Sequence, residues 1–368
     1  MVRSIQELAS PYVRELVPYS PGKPIEEVER ELGVKGSVKL ASNENPLGPS
    51  PLALQAIRNA LGEINRYPDG GGYYLRRALA RKFDLVMGYF ILGNGSNELI
   101  ELAARCFLTA GDEAIIADPA FVVYKSVAQM TGSRQILVPL RDYRHDLEEM
   151  AKRVTSKTKM IFVGNPNNPT GTSVEPGEIE AFMTEVPEDI IVLFDEAYYE
   201  YMPEDLQPNT IRYVAEGRYV LTLRTFSKIY GLAGLRVGYG MAPPPLVELL
   251  NRAREPFNVN SLAQAGALAA LDDANHLATS RRLNEIGKRY LYEQLSMLGL
   301  SFIPTAANFL LVDVGGDGGA IAQALMRKGV IVRPMGMYGL SRHLRVTIGT
   351  PQENERFIRA LQEVLAES

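Results

Sequence analysis

From about Lys39 to Gly240, short apolar runs alternate with amphipathic stretches. Ile115-Ile-Ala117, Gln135–Val138, Met160–Val163, Ile190–Phe194 and Val220–Leu223 are too short for core helices and read as buried strands. Asn97–Leu108 and Glu175–Glu185 space their apolar positions at helical intervals. Strand–helix alternation of this kind predicts a mainly parallel sheet covered by helices on both faces. Pro243-Pro-Pro245 interrupts the pattern, and long helical segments follow from Leu246 to about Leu298. From Phe302 the tail changes character. Phe309–Val312, Val330–Arg333 and Leu344–Ile348 read as strands, and Ile321–Lys328 and Glu353–Ala366 as helices. At the other end, Pro11, Pro18, Pro21 and Pro24 mark an arm that leads into a short helix, Pro24–Leu32. The expected fold is therefore α/β: a large sheet domain over 43–250 and a smaller α+β domain over 251–368 that includes an interdomain helix. Residues 1–42 form an N-terminal arm that joins the small domain. A cleft between the two is the natural ligand site.

Composition narrows the function. The 368 residues suffice for about two domains with full cores. A net charge of −4 implies no basic surface for nucleic acid. No apolar run reaches membrane-spanning length. The start, Met1-Val-Arg-Ser-Ile-Gln-Glu, lacks the apolar core of a signal peptide. The single cysteine, Cys106, excludes an internal disulfide and fits a reducing compartment, so the cytoplasm is expected. His145, His276 and His343 are scattered without ligand spacing, so no metal site is expected.

The richest stretch is Thr225-Phe-Ser-Lys-Ile-Tyr-Gly-Leu-Ala-Gly-Leu-Arg-Val-Gly-Tyr239, which opens where a predicted strand ends. It groups a hydroxyl (Ser227), an amine (Lys228) and a guanidinium (Arg236) with three glycines that permit tight turns. Alone, such a lysine is an ordinary solvated loop residue. In this company it suits an aldehyde cofactor with a phosphate tail, the lysine bonding the aldehyde and the arginine and hydroxyls holding the phosphate.

Three further strand ends point the same way. Gly93-Asn-Gly-Ser-Asn-Glu98 precedes a helix, where exposed N–H groups and the helix dipole favour an anion, with Ser96 and Asn97 as the contacts. The stretch lacks the third glycine of a dinucleotide fingerprint, which disfavours a nicotinamide dehydrogenase. Ile190-Ile-Val-Leu-Phe-Asp-Glu-Ala-Tyr198 ends a strand on acids and a tyrosine. Asp195 there can pair with a protonated pyridine nitrogen, and Tyr198 can reach the ring's phenolic oxygen. Asn165-Pro-Asn-Asn-Pro-Thr-Gly171 forms a turn-rich segment that places Asn168 beside the same ring. Each motif has a plain structural reading as a turn or a solvated strand end. The set together is what chance rarely supplies.

Lys228 in Ser-Lys-x-x-Gly-Leu-Ala-Gly-Leu-Arg, Asp195 in Asp-Glu-Ala-Tyr and Asn168 in Asn-Asn-Pro-Thr-Gly resemble the fold-type I pyridoxal-phosphate aminotransferases. The likeness spans Tyr19 to Gly349. Leu16-Val-Pro-Tyr19, Leu40-Ala-Ser-Asn-Glu-Asn-Pro46, Asn65-Arg-Tyr-Pro-Asp69 and His343-Leu-Arg-Val-Thr-Ile-Gly-Thr350 are most similar to its histidinol-phosphate aminotransferase branch. The resemblance implies that Lys228 carries the cofactor and then moves the proton between substrate carbon and cofactor. It sets Asp195 against the pyridine nitrogen, and Asn168 and Tyr198 against the phenolic oxygen. Ser96, Asn97, Thr225, Ser227 and Arg236 surround the phosphate. Phe121 stacks on the ring, where the family often has tyrosine. Tyr67 reaches the phosphate of the neighbouring subunit, which implies a homodimer. Arg345 and Arg333 are the implied anion-binding arginines, suited to the carboxylate of glutamate and the phosphate of histidinol phosphate by their planar fork. Tyr19 closes over the substrate phosphate, and Asn308 lies near the cleft. By sequence, an aromatic or broad-range aminotransferase and a threonine-phosphate decarboxylase remain open, since they share the cofactor residues. A transcription regulator with an aminotransferase-like domain is disfavoured, because only about 40 residues precede the first motif.

Overall fold

A computed structural model describes residues 4–18 and 22–367. Its larger sheet has seven strands: Phe90–Gly93 (β1), Glu113–Asp118 (β2), Arg134–Pro139 (β3), Thr158–Gly164 (β4), Ile191–Asp195 (β5), Val220–Thr225 (β6) and Gly238–Met241 (β7). Their order across the sheet is β1-β7-β6-β5-β4-β2-β3. Strands β2 to β6 pair in parallel, whereas β7 runs antiparallel to both β1 and β6. The central strands are mostly apolar because helices cover both faces. Ile115, Phe162, Leu193 and Leu221 are wholly buried in the resulting core. Truncating Phe162 to alanine would cost about 3–5 kcal/mol.

The tail builds a second sheet of four antiparallel strands. These are Ser301–Ile303 (β8), Phe309–Asp313 (β9), Arg333–Pro334 (β11) and His343–Thr347 (β12), in the order β11-β12-β9-β8. Between β9 and β11 in the chain, Val330–Ile331 (β10) pairs in parallel with Val38–Lys39. The run predicted as one strand, Val330–Arg333, thus divides after Ile331 to serve two different sheets. The helices Ala274–Met297 and Pro351–Glu367 bury Leu291, Leu295, Phe357 and Leu361 against this sheet.

Two elements of the large sheet were absent from the sequence-based reading. Strand β1 is a short run of four residues, and β7 reads Gly-Tyr-Gly-Met, with few apolar side chains to mark it. Its glycines have a spatial cause. A Cβ on Gly238 would lie 2.6 Å from Ser96 N and 2.9 Å from Arg224 O. Register places Gly93 and Thr225 on either side of Gly238. This tight row brings the start of the helix Ser96–Phe107 beside the end of β6.

Candidate active site

The carboxyl ends of β2, β4, β5 and β6 open onto one cleft, the expected ligand position for a sheet of this kind. Its volume is about 360 Å³. Lys228, Asp195, Tyr198, Asn168, Phe121, Ser96 and Asn97 line it, as do Thr225, Ser227, Arg236, Arg333 and Arg345. Segments far apart in the chain therefore converge on one space.

At one end the walls suit a phosphate. Gly95, with φ +76°, caps the helix Ser96–Phe107 and turns the first backbone N–H groups toward the cleft. Arg236 closes the other side, and its Nη1 donates to Ser227 Oγ at 3.4 Å. A Cβ on Gly95 would stand 2.7 Å from Arg236 Nη2. Thr225 Oγ1 accepts from Ser227 N at 3.1 Å, which shapes the loop that presents the hydroxyls.

In the middle, Asp195 is buried at the end of β5. Its Oδ2 accepts from Tyr124 Oη at 2.8 Å. Its Oδ1 is buried without a hydrogen-bonding partner among the described residues. Burial drives its pKa up to about 6, while the Tyr124 bond, the Ala197 N–H and the Lys228 charge pull the other way. Lys228 Nζ donates to Ser42 O at 3.3 Å and lies 5.5 Å from the centre of the Tyr198 ring. Tyr198 Oη accepts from Asn43 Nδ2 at 2.9 Å.

At the far end, Arg333 and Arg345 face each other across the β11–β12 pair. They are 8% and 6% exposed, so neither is a surface charge. Arg345 donates to Asn168 Oδ1 and to Ala41 O, both at 2.7 Å, and Arg333 Nη2 lies 3.5 Å from Met337 Sδ.

Two predicted residues sit elsewhere. Tyr67 is 83% exposed and stacks on Phe257 at 4.8 Å, away from this chain's own cleft. Asn308 is buried behind the wall, where its Nδ2 donates to Asn43 O at 3.0 Å. Tyr19 lies outside the described residues. The reading of the residues gave no role to Ser42, Asn43 or Tyr124, although Leu40-Ala-Ser-Asn-Glu-Asn-Pro46 contains the first two. Nothing local marks their roles: Asn43 meets a tyrosine 155 positions away, and Tyr124 reads as one more aromatic on an amphipathic helix.

These features suit an enzyme site for a phosphorylated aldehyde cofactor. The chain belongs to the aminotransferase class I and II family, which it matches over residues 35–361. More narrowly, it is 53% identical to the histidinol-phosphate aminotransferase of Moorella thermoacetica, covering 95% of this chain and 91% of that one. It is 50% identical to histidinol-phosphate aminotransferase 1 of Nitrosococcus oceani, covering 98% of each. Among solved structures, the histidinol-phosphate aminotransferase of Sinorhizobium meliloti in complex with pyridoxal-5′-phosphate matches with a TM-score of 0.90 at 30% identity, covering 98% of each chain. The residues here fit that same group. Among the described residues Asp195 Oδ1 has no donor, which a ring N–H would supply, and the missing side chain of Gly95 leaves room for a phosphate beside Arg236.

Proposed function

We propose that this enzyme transfers an amino group between L-histidinol phosphate and 2-oxoglutarate in histidine biosynthesis, with pyridoxal phosphate as cofactor. When bound, the cofactor supplies an aldehyde that captures the substrate amine and a ring that accepts the electron pair left at the α-carbon. The protein does the rest. Lys228 would hold the aldehyde carbon between turnovers and carry the proton on its Nζ during them. Asp195 would keep a positive charge on the ring nitrogen. Ser96, Asn97, Thr225, Ser227 and Arg236 would hold the phosphate, and Phe121 would cover one face of the ring. Asn43 donates to Tyr198 Oη and so fixes the hydroxyl that would face the phenolic oxygen of the ring. Arg345 engages Asn168 Oδ1 and so turns the amide NH₂ toward that oxygen.

The observation that carries the substrate reading is the opposition of Arg333 and Arg345, two buried cations facing each other on one strand pair. Two guanidiniums at one end of the cleft offer bidentate pairing to an anion. The α-carboxylate of glutamate and the phosphate of histidinol phosphate each provide one, and a single site can accept both in turn. The similarity to enzymes named for that substrate supports the same choice. Asn308 acts behind the wall by holding Asn43. A homodimer completes the site, with the exposed Tyr67 reaching the phosphate of the neighbouring subunit. No helix among the described residues is long and apolar enough to cross a membrane, and we place the enzyme in the cytoplasm.

The test is a substrate panel. Histidinol phosphate with 2-oxoglutarate should turn over far faster than phenylalanine, and phosphothreonine should release no carbon dioxide. Faster phenylalanine turnover, or decarboxylation of phosphothreonine, would replace this reading.

A further inference from the structure

Tyr124 lies on the helix Val122–Thr131, one turn beyond Phe121. It is 1% exposed, and a phenylalanine would fill the same space between its aromatic neighbours. Only the hydroxyl asks for more. It donates to Asp195 Oδ2 at 2.8 Å, and the space it occupies exists because residue 164 is glycine, where a Cβ would stand 3.0 Å from the Tyr124 oxygen. The ring is fixed on two sides. It stacks on Phe162 of β4 at 5.3 Å with an interplanar angle of 21°, and meets Phe121 edge-on at 5.7 Å and 86°. One side chain thus touches both the acid that faces the ring nitrogen and the aromatic that covers the ring.

We infer that Tyr124 is a positioning residue that sets the Asp195 carboxylate and the Phe121 ring as one unit. The inference rests on the reading of this cleft as the pyridoxal phosphate site. Its hydrogen bond occupies Oδ2 and leaves Oδ1 as the oxygen that can receive the ring N–H. It also favours the ionised carboxylate, with the Ala197 N–H and Lys228 acting in the same sense, and burial and Glu196 opposing. Tyr198 and Tyr338 are the other titratable groups that bear on the Tyr124 hydroxyl.

The experiment is reconstitution of the apoenzyme with pyridoxal phosphate, followed by absorbance from pH 5 to 8, for wild type and Tyr124→Phe. Removing the hydroxyl should weaken cofactor binding at pH 7 roughly tenfold, the scale of one hydrogen bond to a charged group. The acidic midpoint of binding should rise by about half a unit or more, because the ionised carboxylate has lost a donor. In an Asp195→Asn background the same substitution should add almost nothing, since its partner is gone. Gly164→Ala, which crowds the hydroxyl without touching the cofactor, should move affinity and midpoint in the same directions and serves if Tyr124→Phe does not fold. Unchanged affinity and midpoint, or an equal loss in the Asp195→Asn background, would overturn the inference while leaving the cofactor site intact. A wild-type protein that takes up no pyridoxal phosphate would overturn both.

Discussion

Arg345 is bonded to Asn168: Nη1 of the arginine donates to Oδ1 of the amide at 2.7 Å, across 177 positions of sequence. The second guanidinium nitrogen donates to Ala41 O at 2.7 Å. On the proposed roles, the group that would receive a substrate anion is also the group that would orient an amide toward the cofactor ring. One planar fork would then join substrate binding to ring polarisation, which an ammonium cannot imitate.

Arg345→Lys should lower kcat/KM for glutamate roughly 10- to 100-fold, the scale of one or two lost bonds to a charged group. Part of the loss should fall on kcat, because Asn168 loses its fixed orientation. Steady-state kinetics that showed a change in KM alone would mean that the two groups act separately.

Gly95→Ala should weaken pyridoxal phosphate binding by roughly tenfold or more, a cost of about 1–3 kcal/mol from strained backbone. The new Cβ would meet Arg236 Nη2 at 2.7 Å, and the backbone there has φ +76°. Titration of the apoenzyme with the cofactor measures the loss, and the unfolding midpoint shows whether the fold survives.

Asp195→Asn should reduce turnover by roughly 10²- to 10⁴-fold, as misplaced proton chemistry does. The wild-type acid also predicts a pH dependence. Its pKa in the fold is about 6, against an ordinary value of 3.8. The stabilisation that comes from burying it neutral is complete below the ordinary value and is lost as pH rises through about 6, a swing of about 3 kcal/mol. The apoenzyme should therefore lose stability from this group between pH 4 and 6. Cofactor affinity should rise over the upper part of that window, because the ring N–H pairs with the ionised form. Denaturant midpoints of apoenzyme and holoenzyme across that range check both trends.

Arg224→Met should destabilise the protein by about 3–5 kcal/mol, because it strands a buried carboxylate. Arg224 bonds Glu196 at 2.8 Å with side chains 5% and 0% exposed, and its guanidinium lies 3.4 Å from the centre of the Tyr199 ring. Urea denaturation measures the loss. A change below about 1 kcal/mol would mean that Glu196 takes up a proton at little cost.

Much of the cleft was legible in the chain, for a physical reason. Lys228, Asp195 and Asn168 sit just after or at the ends of largely buried strands, and an apolar run that stops abruptly on polar residues marks a sheet edge. Ser96 and Asn97 follow a glycine that must begin a helix. What stayed hidden depends on distance. Tyr124 gains its meaning from Asp195, Asn43 from Tyr198, and Ser42 from Lys228, and none of these pairings leaves a local pattern. Strand β7 was missed because the close approach of Ser96 requires glycine where a strand usually shows apolar side chains. The split after Ile331 is invisible in an unbroken apolar run, since only the partner strands decide it.

A covalent bond between pyridoxal phosphate and Lys228 underlies every role proposed for the cleft. Borohydride reduction of the yellow holoenzyme, followed by peptide mapping, measures it most directly. The label should fall on Lys228 alone, and Lys228→Ala should take no label and show essentially no turnover. Label on another lysine, or near wild-type transamination by Lys228→Ala, would contradict the account.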